Sequence, residues 1–279
     1  MDLPVMNSNS RISPKNPPVV LAVSGFDPTG SAGLLADIRI LNALGCYPCG
    51  VVTCETVQTS RGVSGIVPSD PEVFREQLTA LIGDIRINAV KIGALASVEI
   101  IEILGRVLKE IPGVPVVLDP VFEPTRGPKF IDPNGMRAMS THLLKQTLIA
   151  TPNVHELGFP AELEVDPNDD EAITGCSMGW LSAGVETLLV TGLQRGDRIV
   201  DRFIRLGMEG QPRIDDLAHD YIDSVEIHGT GCVLSAAIAG YIASGEKLRH
   251  AVMKASEFTA GVVGNSLSLG DGARFWLTG

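Results

Sequence analysis

The sequence predicts a three-layer α/β/α fold with a mostly parallel central sheet and helices on both faces. Three observations carry that expectation. Runs such as VVLAV (19–23) and PVVLD (115–119) are apolar and β-branched almost throughout, as strands covered on both faces are. Nearly every such run is followed by a stretch with apolar residues at helical spacing. The alternation continues from residue 19 toward the end of the 279-residue chain, which is the pattern of crossover-connected strands.

The elements follow in order. VVLAVSG (19–25) reads as the first buried strand. Helix 31–45 places Leu34, Ile38, Leu41 and Leu44 on one stripe and ends at Gly45, a helix-stop residue. Strand 48–57, helix 71–82, strand 88–95 and helix 98–110 continue the alternation. Strand 114–121, helix 132–144, strand 147–153 and helix 169–183 follow. Three strands, 186–192, 198–206 and 220–227, then lack intervening helices, so an antiparallel edge is expected there. Helices 230–244 and 248–267 close the chain. Residues 1–17 are polar and proline-containing and read as a disordered tail. No linker or repeat interrupts residues 18–279, which read as one domain.

Composition narrows the function. A net charge of −11 opposes a general nucleic-acid binder, whose footprint is basic. It leaves anionic ligands open, because backbone amides and a metal bind phosphate inside acidic proteins. Five cysteines, an odd number in a long chain, argue for a reducing cytoplasm rather than a disulfide framework. Cys46 and Cys49 form a C-x-x-C with no second pair, and read as buried, inert thiols. No apolar run is long enough for a membrane span.

Ligands of such sheets bind at the carboxyl ends of the strands, and the informative residues lie there. GFDPTGSAG (25–33) follows the first strand with three glycines and bare amides at a helix start. It matches neither a dinucleotide fingerprint nor a P-loop, and a plain tight turn explains it equally well. LDPVF (118–122) places Asp119 at one strand end, and TPNVHEL (151–157) places Asn153 and Glu156 after the next. Carboxylates so placed hold Mg²⁺ directly or through water. Asn153 and Glu156 also have the spacing of a capping box, and both readings can hold together. In HGTGC (228–232), Gly229, Thr230 and Gly231 offer a concave set of amides at the positive end of a helix, suited to a phosphoryl group. Cys232 stands at that helix start. The position predicts a lowered thiol pKa and a group able to take a proton; a buried packing thiol is the bland alternative. His228 is adjacent, without evidence of triad geometry. His142, His155, His219 and His250 read as surface residues, and Trp180 and Trp276 as packing residues.

With these motifs assembled, the chain resembles the hydroxymethylpyrimidine/phosphomethylpyrimidine kinases of thiamine biosynthesis, within the ribokinase-like superfamily. SGFDPTGSAGLLADI, VQTSRGV, VKIGAL, VVLDPV, TPNVHEL and HGTGC carry the likeness. GTGC is the sharpest of them, since sugar kinases of the superfamily usually have aspartate where Cys232 stands. The resemblance implies an ATP- and Mg²⁺-dependent kinase acting on 4-amino-5-hydroxymethyl-2-methylpyrimidine and then on its monophosphate. It implies that Gly25, Asp27, Ala32, Asp37, Gln58 and Val121 fall at or near a pyrimidine pocket. Metal ligation would fall to Asp119 and Glu156, and an anion hole to Gly229, Thr230 and Gly231. Asn153 and Thr191 would lie at the ATP site, with Cys232 in the catalytic-base position. A cytoplasmic homodimer is implied too. The chain departs from the family at Thr191, where a lysine is common, and at Ala94, often methionine. A pyridoxal-type kinase is the second reading, with Gln58 and Ala94 as discriminating positions. A non-catalytic relative is the third; intact Asp119, Glu156 and GTGC oppose it.

Overall fold

The computed structural model describes residues 16–161, 163–195, 198–220 and 227–278. Its strands are β1 (Val19–Phe26), β2 (Tyr47–Thr59), β3 (Gly62–Pro68), β4 (Ala89–Ile92), β5 (Val116–Leu118), β6 (Ile149–Ala150), β7 (Thr187–Arg195), β8 (Arg198–Leu206) and β9 (Pro212–Asp220). All nine join one sheet in the order β3-β2-β1-β4-β5-β6-β7-β8-β9. The stretch from β2 through β1 to β7 is parallel. Antiparallel partners close both edges: β3 on β2, and β8 and β9 beyond β7.

The helices are α1 (Gly33–Ala43), α2 (Pro71–Asp84), α3 (Val98–Leu108), α4 (Pro133–His142), α5 (Val154–Gly158), α6 (Asp170–Ala183), α7 (Thr230–Ala243) and α8 (Leu248–Gly264). The two-residue period of the strands sorts them onto two layers. Leu21, Val23, Val90, Ile92, Val116 and Leu118 pack with α2, α3, α4 and α6. Val20, Ala22, Ala89 and Val117 pack with α1, α7 and α8. Side-chain caps fix several starts: Asp70 accepts from Val73 N, Ser97 from Ile100 N, Asp132 from Gly135 N, and Asp169 from Ala172 N. The three-layer expectation is met, with an antiparallel edge after β7.

Three details differ. β3 was not expected; it is short, holds two glycines, and returns on β2 as a hairpin. The strand expected at 220–227 is instead β9, and residues 221–226 lie outside the described residues. PRIDDLAHD is rich in charge because β9 is an edge strand. The strands read as 88–95, 114–121 and 147–153 stop early, at Ile92, Leu118 and Ala150. The residues beyond them leave the ladder as loops, and those loops build the site. Residues 1–15 of the expected tail, and Gly196 and Asp197 of the segment following Thr191, lie outside the described residues. Among the described residues no helix is long and apolar enough to cross a membrane.

Candidate active site

A cavity of about 580 Å³ opens at the carboxyl ends of the parallel strands, where such sheets bind ligands. Gly25, Asp27, Ala32, Gln58 and Val121 line it. So do Asn153, Thr191, Asp119, Glu156 and the whole of residues 229–232. The fold therefore brings these distant segments to one place.

The loop after β1 is organised by Asp27. Its carboxylate accepts from Thr29 N and Thr29 Oγ1 at 2.8 Å and from Ala32 N at 3.0 Å. Burial works to raise this carboxyl, but hydrogen bonds from His228 and Thr29 outweigh it and hold it below its ordinary value. The loop is thus a turn held by its own side chain as well as a wall of the site.

The loop before α7 is held differently. Gly229 has φ +83°, a left-handed conformation, and a Cβ there would stand 1.8 Å from Ser31 O. Only glycine lets the two loops meet. Gly231 faces Asp119; a Cβ on it would lie 3.9 Å from both carboxylate oxygens. The residues opening α7 therefore line the cavity beside a carboxylate. Ser235, one turn into α7, donates to Asp119 Oδ2 at 3.0 Å and fixes it.

Beneath these groups lies a buried charged cluster that sequence reading missed. Lys91 on β4 is fully buried, 2.9 Å from Asp37 Oδ1 and 3.9 Å from Asp119 Oδ2. Asp37, which the resemblance implied as a substrate-binding residue at or near the pocket, does not line the cavity; it is fully buried on α1 and pairs with Lys91. Two signals were available. Asp37 shares a helical stripe with Leu34 and Leu41, and Lys91 sits inside the apolar strand AVKI. Opposite charges at core positions must pair. Burial raises Asp37 to about 6 against the pull of Lys91. Burial works to lower Lys91, but Asp37 and its other anionic neighbours more than offset it, so Lys91 stays charged.

Cys232 corrects a second expectation. Its thiol is pushed up to about 12, not lowered. Loss of solvent is the largest cause; Lys91 pulls the other way, and Asp119 and Asp37 add repulsion. A helix start lowers a thiol pKa where water still reaches the sulfur; here Cys232 opens the buried run 232–240 of α7, and loss of solvent favours the neutral thiol.

Asn153 and Glu156 form the capping box: Glu156 N donates to Asn153 Oδ1 and Asn153 N to Glu156 Oε2, both at 2.9 Å. Asn153 also bridges to Thr191 on the neighbouring strand, whose amide donates to Pro152 O at 2.9 Å. Burial raises Glu156 to about 8, and Asp119 adds to the rise. Among the described residues no group of three or more His, Cys, Asp or Glu side chains forms a metal cage. Two buried carboxylates that repel each other still fit a hard cation, and Mg²⁺ takes one or two carboxylates and completes its shell with water and phosphate oxygens.

At the other end of the cavity, Gln58 contacts His228 Nε2 at 2.5 Å, and His228 Nε2 lies 3.0 Å from Asp27 Oδ2. His228 was passed over because chain adjacency said nothing of its reach. His155, read as a surface residue, is exposed but lines the cavity mouth beside Glu123, 2.5 Å away. One late segment fastens three loops of the site. Ala273 N donates to Ser60 O at 2.9 Å, His228 N to Arg274 O at 3.0 Å, and Trp276 Nε1 to Ser31 O at 2.9 Å. Trp276 and Trp180 are buried packing residues, as expected. Cys46 and Cys49 are free and buried.

The family model described as phosphomethylpyrimidine kinase matches residues 27–275. A hydroxymethylpyrimidine/phosphomethylpyrimidine kinase of Streptomyces coelicolor is 32% identical over 259 residues, covering 93% of each chain. The thiamine biosynthesis bifunctional protein ThiED of Geobacter sulfurreducens is 33% identical over 259 residues, 91% of this chain and 50% of that one. The structure of pyridoxal kinase from Staphylococcus aureus in complex with ADP superposes with a TM-score of 0.82 at 26% identity, covering 94% of this chain and 93% of that one.

Proposed function

The chain belongs to the phosphomethylpyrimidine kinase family, and from that premise we propose that it phosphorylates 4-amino-5-hydroxymethyl-2-methylpyrimidine, and then the monophosphate, in thiamine biosynthesis. It is a phosphotransferase on a ribokinase-like scaffold. One observation supports the reading most. The amide loop 229–232 and the carboxylates Asp119 and Glu156 share a single cavity with Asp27 and Gln58. Amides and carboxylates suited to phosphate thus border the same cavity as side chains suited to a polar ring.

Phosphoryl transfer passes through a loose transition state, so catalysis is mostly positioning and charge stabilisation. ATP is the donor in this reading. The amides at residues 229–231 would receive the transferring phosphoryl group, with no rearrangement needed as charge spreads over its oxygens. Asn153 and Thr191 would border the nucleotide. Asp119 and Glu156 would hold Mg²⁺, which supplies charge neutralisation between the phosphates. Ser235 and Lys91 keep Asp119 in place. Cys232 would touch the hydroxymethyl group. Its neutral thiol does not repel the monophosphate in the second step, as a permanent carboxylate would. The reading includes residues 18–279 as one domain, a cytoplasmic location in keeping with five free thiols, and a homodimer.

The test is an ATP-consumption assay with Mg²⁺ on the pyrimidine, its monophosphate and pyridoxal in parallel, with Cys232→Ala as control. Turnover of both pyrimidines, sharply reduced in the variant, is expected. Turnover of pyridoxal alone would move the assignment to a pyridoxal kinase, the second reading favoured by the likeness to the Staphylococcus aureus enzyme and by Ala94 on the cavity wall. No turnover on any of the three would sink the reading.

A further inference from the structure

The ring end of the cavity holds a chain of side chains whose hydrogens can be counted. Asp27 accepts three hydrogen bonds within its own loop, from Thr29 N, Thr29 Oγ1 and Ala32 N. A carboxyl so surrounded is an ionised acceptor with no hydrogen to give. His228 Nε2 stands 3.0 Å from Asp27 Oδ2, so this nitrogen carries a hydrogen and donates it. The same nitrogen lies 2.5 Å from the Gln58 atom placed as Nε2. Two N–H groups facing each other at that separation repel.

The far side of Gln58 accepts either orientation. The atom placed as Oε1 is 3.0 Å from Thr56 Oγ1, which is also 3.0 Å from Phe26 O. The one hydroxyl hydrogen of Thr56 serves Gln58 when an oxygen faces it and Phe26 O when an N–H does. Turning the amide by 180° removes the conflict at His228, keeps Thr56 satisfied and moves no other atom. An amide's O and N are assigned from such networks. Oε1 then accepts from His228, one Nε2 hydrogen goes to Thr56, and one Nε2 hydrogen is left over beside the cavity.

We propose that His228 is a positioning residue for the substrate ring: its Nε2–H, shared by Asp27 and Gln58, fixes the Gln58 amide so that the remaining Gln58 N–H meets a lone pair on the ring. The inference rests on the phosphotransfer reading and deepens it, naming the recognised class as a heteroaromatic carbinol with an unprotonated ring nitrogen at that edge. A ring bearing C–H there loses one hydrogen bond. Gln58 offers its open N–H as a donor, not a donor and acceptor in equal measure.

Two measurements test it. The first uses protein labelled with ¹⁵N at histidine, without ligand, with the His228 signal identified by its loss in His228→Gln. A protonated Nε2 is expected; a bare Nε2 overturns the inference, whatever the substrate proves to be. The second is steady-state kinetics. His228→Leu should raise KM for the pyrimidine about tenfold, the worth of one hydrogen bond, with KM for ATP and kcat within about twofold. His228→Gln should recover most of that loss, since its amide donates two hydrogens to the same two oxygens. Gln58→Glu, which keeps the acceptor toward His228 but has no N–H for the ring, should match the leucine variant and covers the case in which that variant fails to fold. An analogue with the ring nitrogen replaced by C–H should lose about tenfold against wild type and nothing against Gln58→Glu. Equal KM changes for both substrates in His228→Leu, or a kcat loss alone, would overturn the inference. If wild type turns over neither pyrimidine, the functional reading fails, while the ¹⁵N result still decides the state of His228.

Discussion

The two ends of the cavity are built by different means. At the proposed phosphate end the backbone would present the binding groups: amides of residues 229–232, in a loop whose left-handed Gly229 rests on Ser31 O. Side chains there act mostly from below, as Lys91, Asp37 and Ser235 fix Asp119. At the proposed ring end side chains make the surface, in the chain Thr56–Gln58–His228–Asp27. The difference suits the two tasks. A phosphoryl group is the same in every cycle and needs only correct conformation. A ring must be told from other rings, and that needs particular donors and acceptors. The phosphate end should therefore fail through conformation and buried charge, and the ring end through hydrogen-bond chemistry.

The largest effect should come from the floor of the phosphate end. Lys91→Met leaves two buried carboxylates uncompensated and should cost about 3–5 kcal/mol of stability in denaturant unfolding. Adding Asp37→Leu should restore part of it; no recovery would show that the pair is not the source. Gly229→Ala comes next, because its Cβ meets backbone. A fall in kcat of about a hundredfold with both pyrimidines is expected, whereas an unchanged kcat would remove these amides from the mechanism. Cys232→Asp should reduce kcat/KM for the monophosphate about tenfold more than for the alcohol, since a carboxylate repels the incoming phosphate. Equal losses in the two steps would refute that role for the thiol. Asn153→Ala should cost about 1 kcal/mol as a lost cap, read as a lowered Tm.

The smallest effects separate the two ends by pH. Asp27 titrates below its ordinary value in the folded chain, so its contribution is present above an unfolded pKa of about 3.9 and is lost as pH falls through the folded value. Glu156 is shifted the other way, to about 8, so its contribution is full below an unfolded pKa of about 4.3 and declines as pH rises toward 8. Tm should fall on both sides of mildly acid pH. Asp27→Asn should flatten the acid limb and Glu156→Gln the alkaline one; the reverse pairing would contradict the assignment.

The same contrast explains what was legible in the sequence. Continuous apolar runs announced β1, β4 and β5, and glycine-rich strand ends announced the phosphate loop, because backbone sites leave glycines in the sequence. β3 and β9 were harder: both are edge strands, one glycine-broken and one charged, and neither carries a full apolar signature. The Lys91–Asp37 pair joins residues 54 positions apart: each charge stands out at an apolar position, but only folding shows that they pair. The misread Cys232 shows the limit of arguing from helix position alone, since burial decided its charge. The Gln58–His228 contact spans 170 positions and depended on folding to be seen at all.

The segment around residues 273–276 has a consequence in time. It ties down Ser60, His228 and Ser31, and the Trp276–Ser31 contact closes a span of 245 residues. Contacts of such sequence separation form late, because the entropy of closing the intervening chain must first be overcome. The parallel sheet can be in place while three loops of the cavity are still unfastened. A refolding chain should therefore regain its secondary structure before its activity, and the delay between them measures how long this molecule exists as a folded protein that is not yet an enzyme.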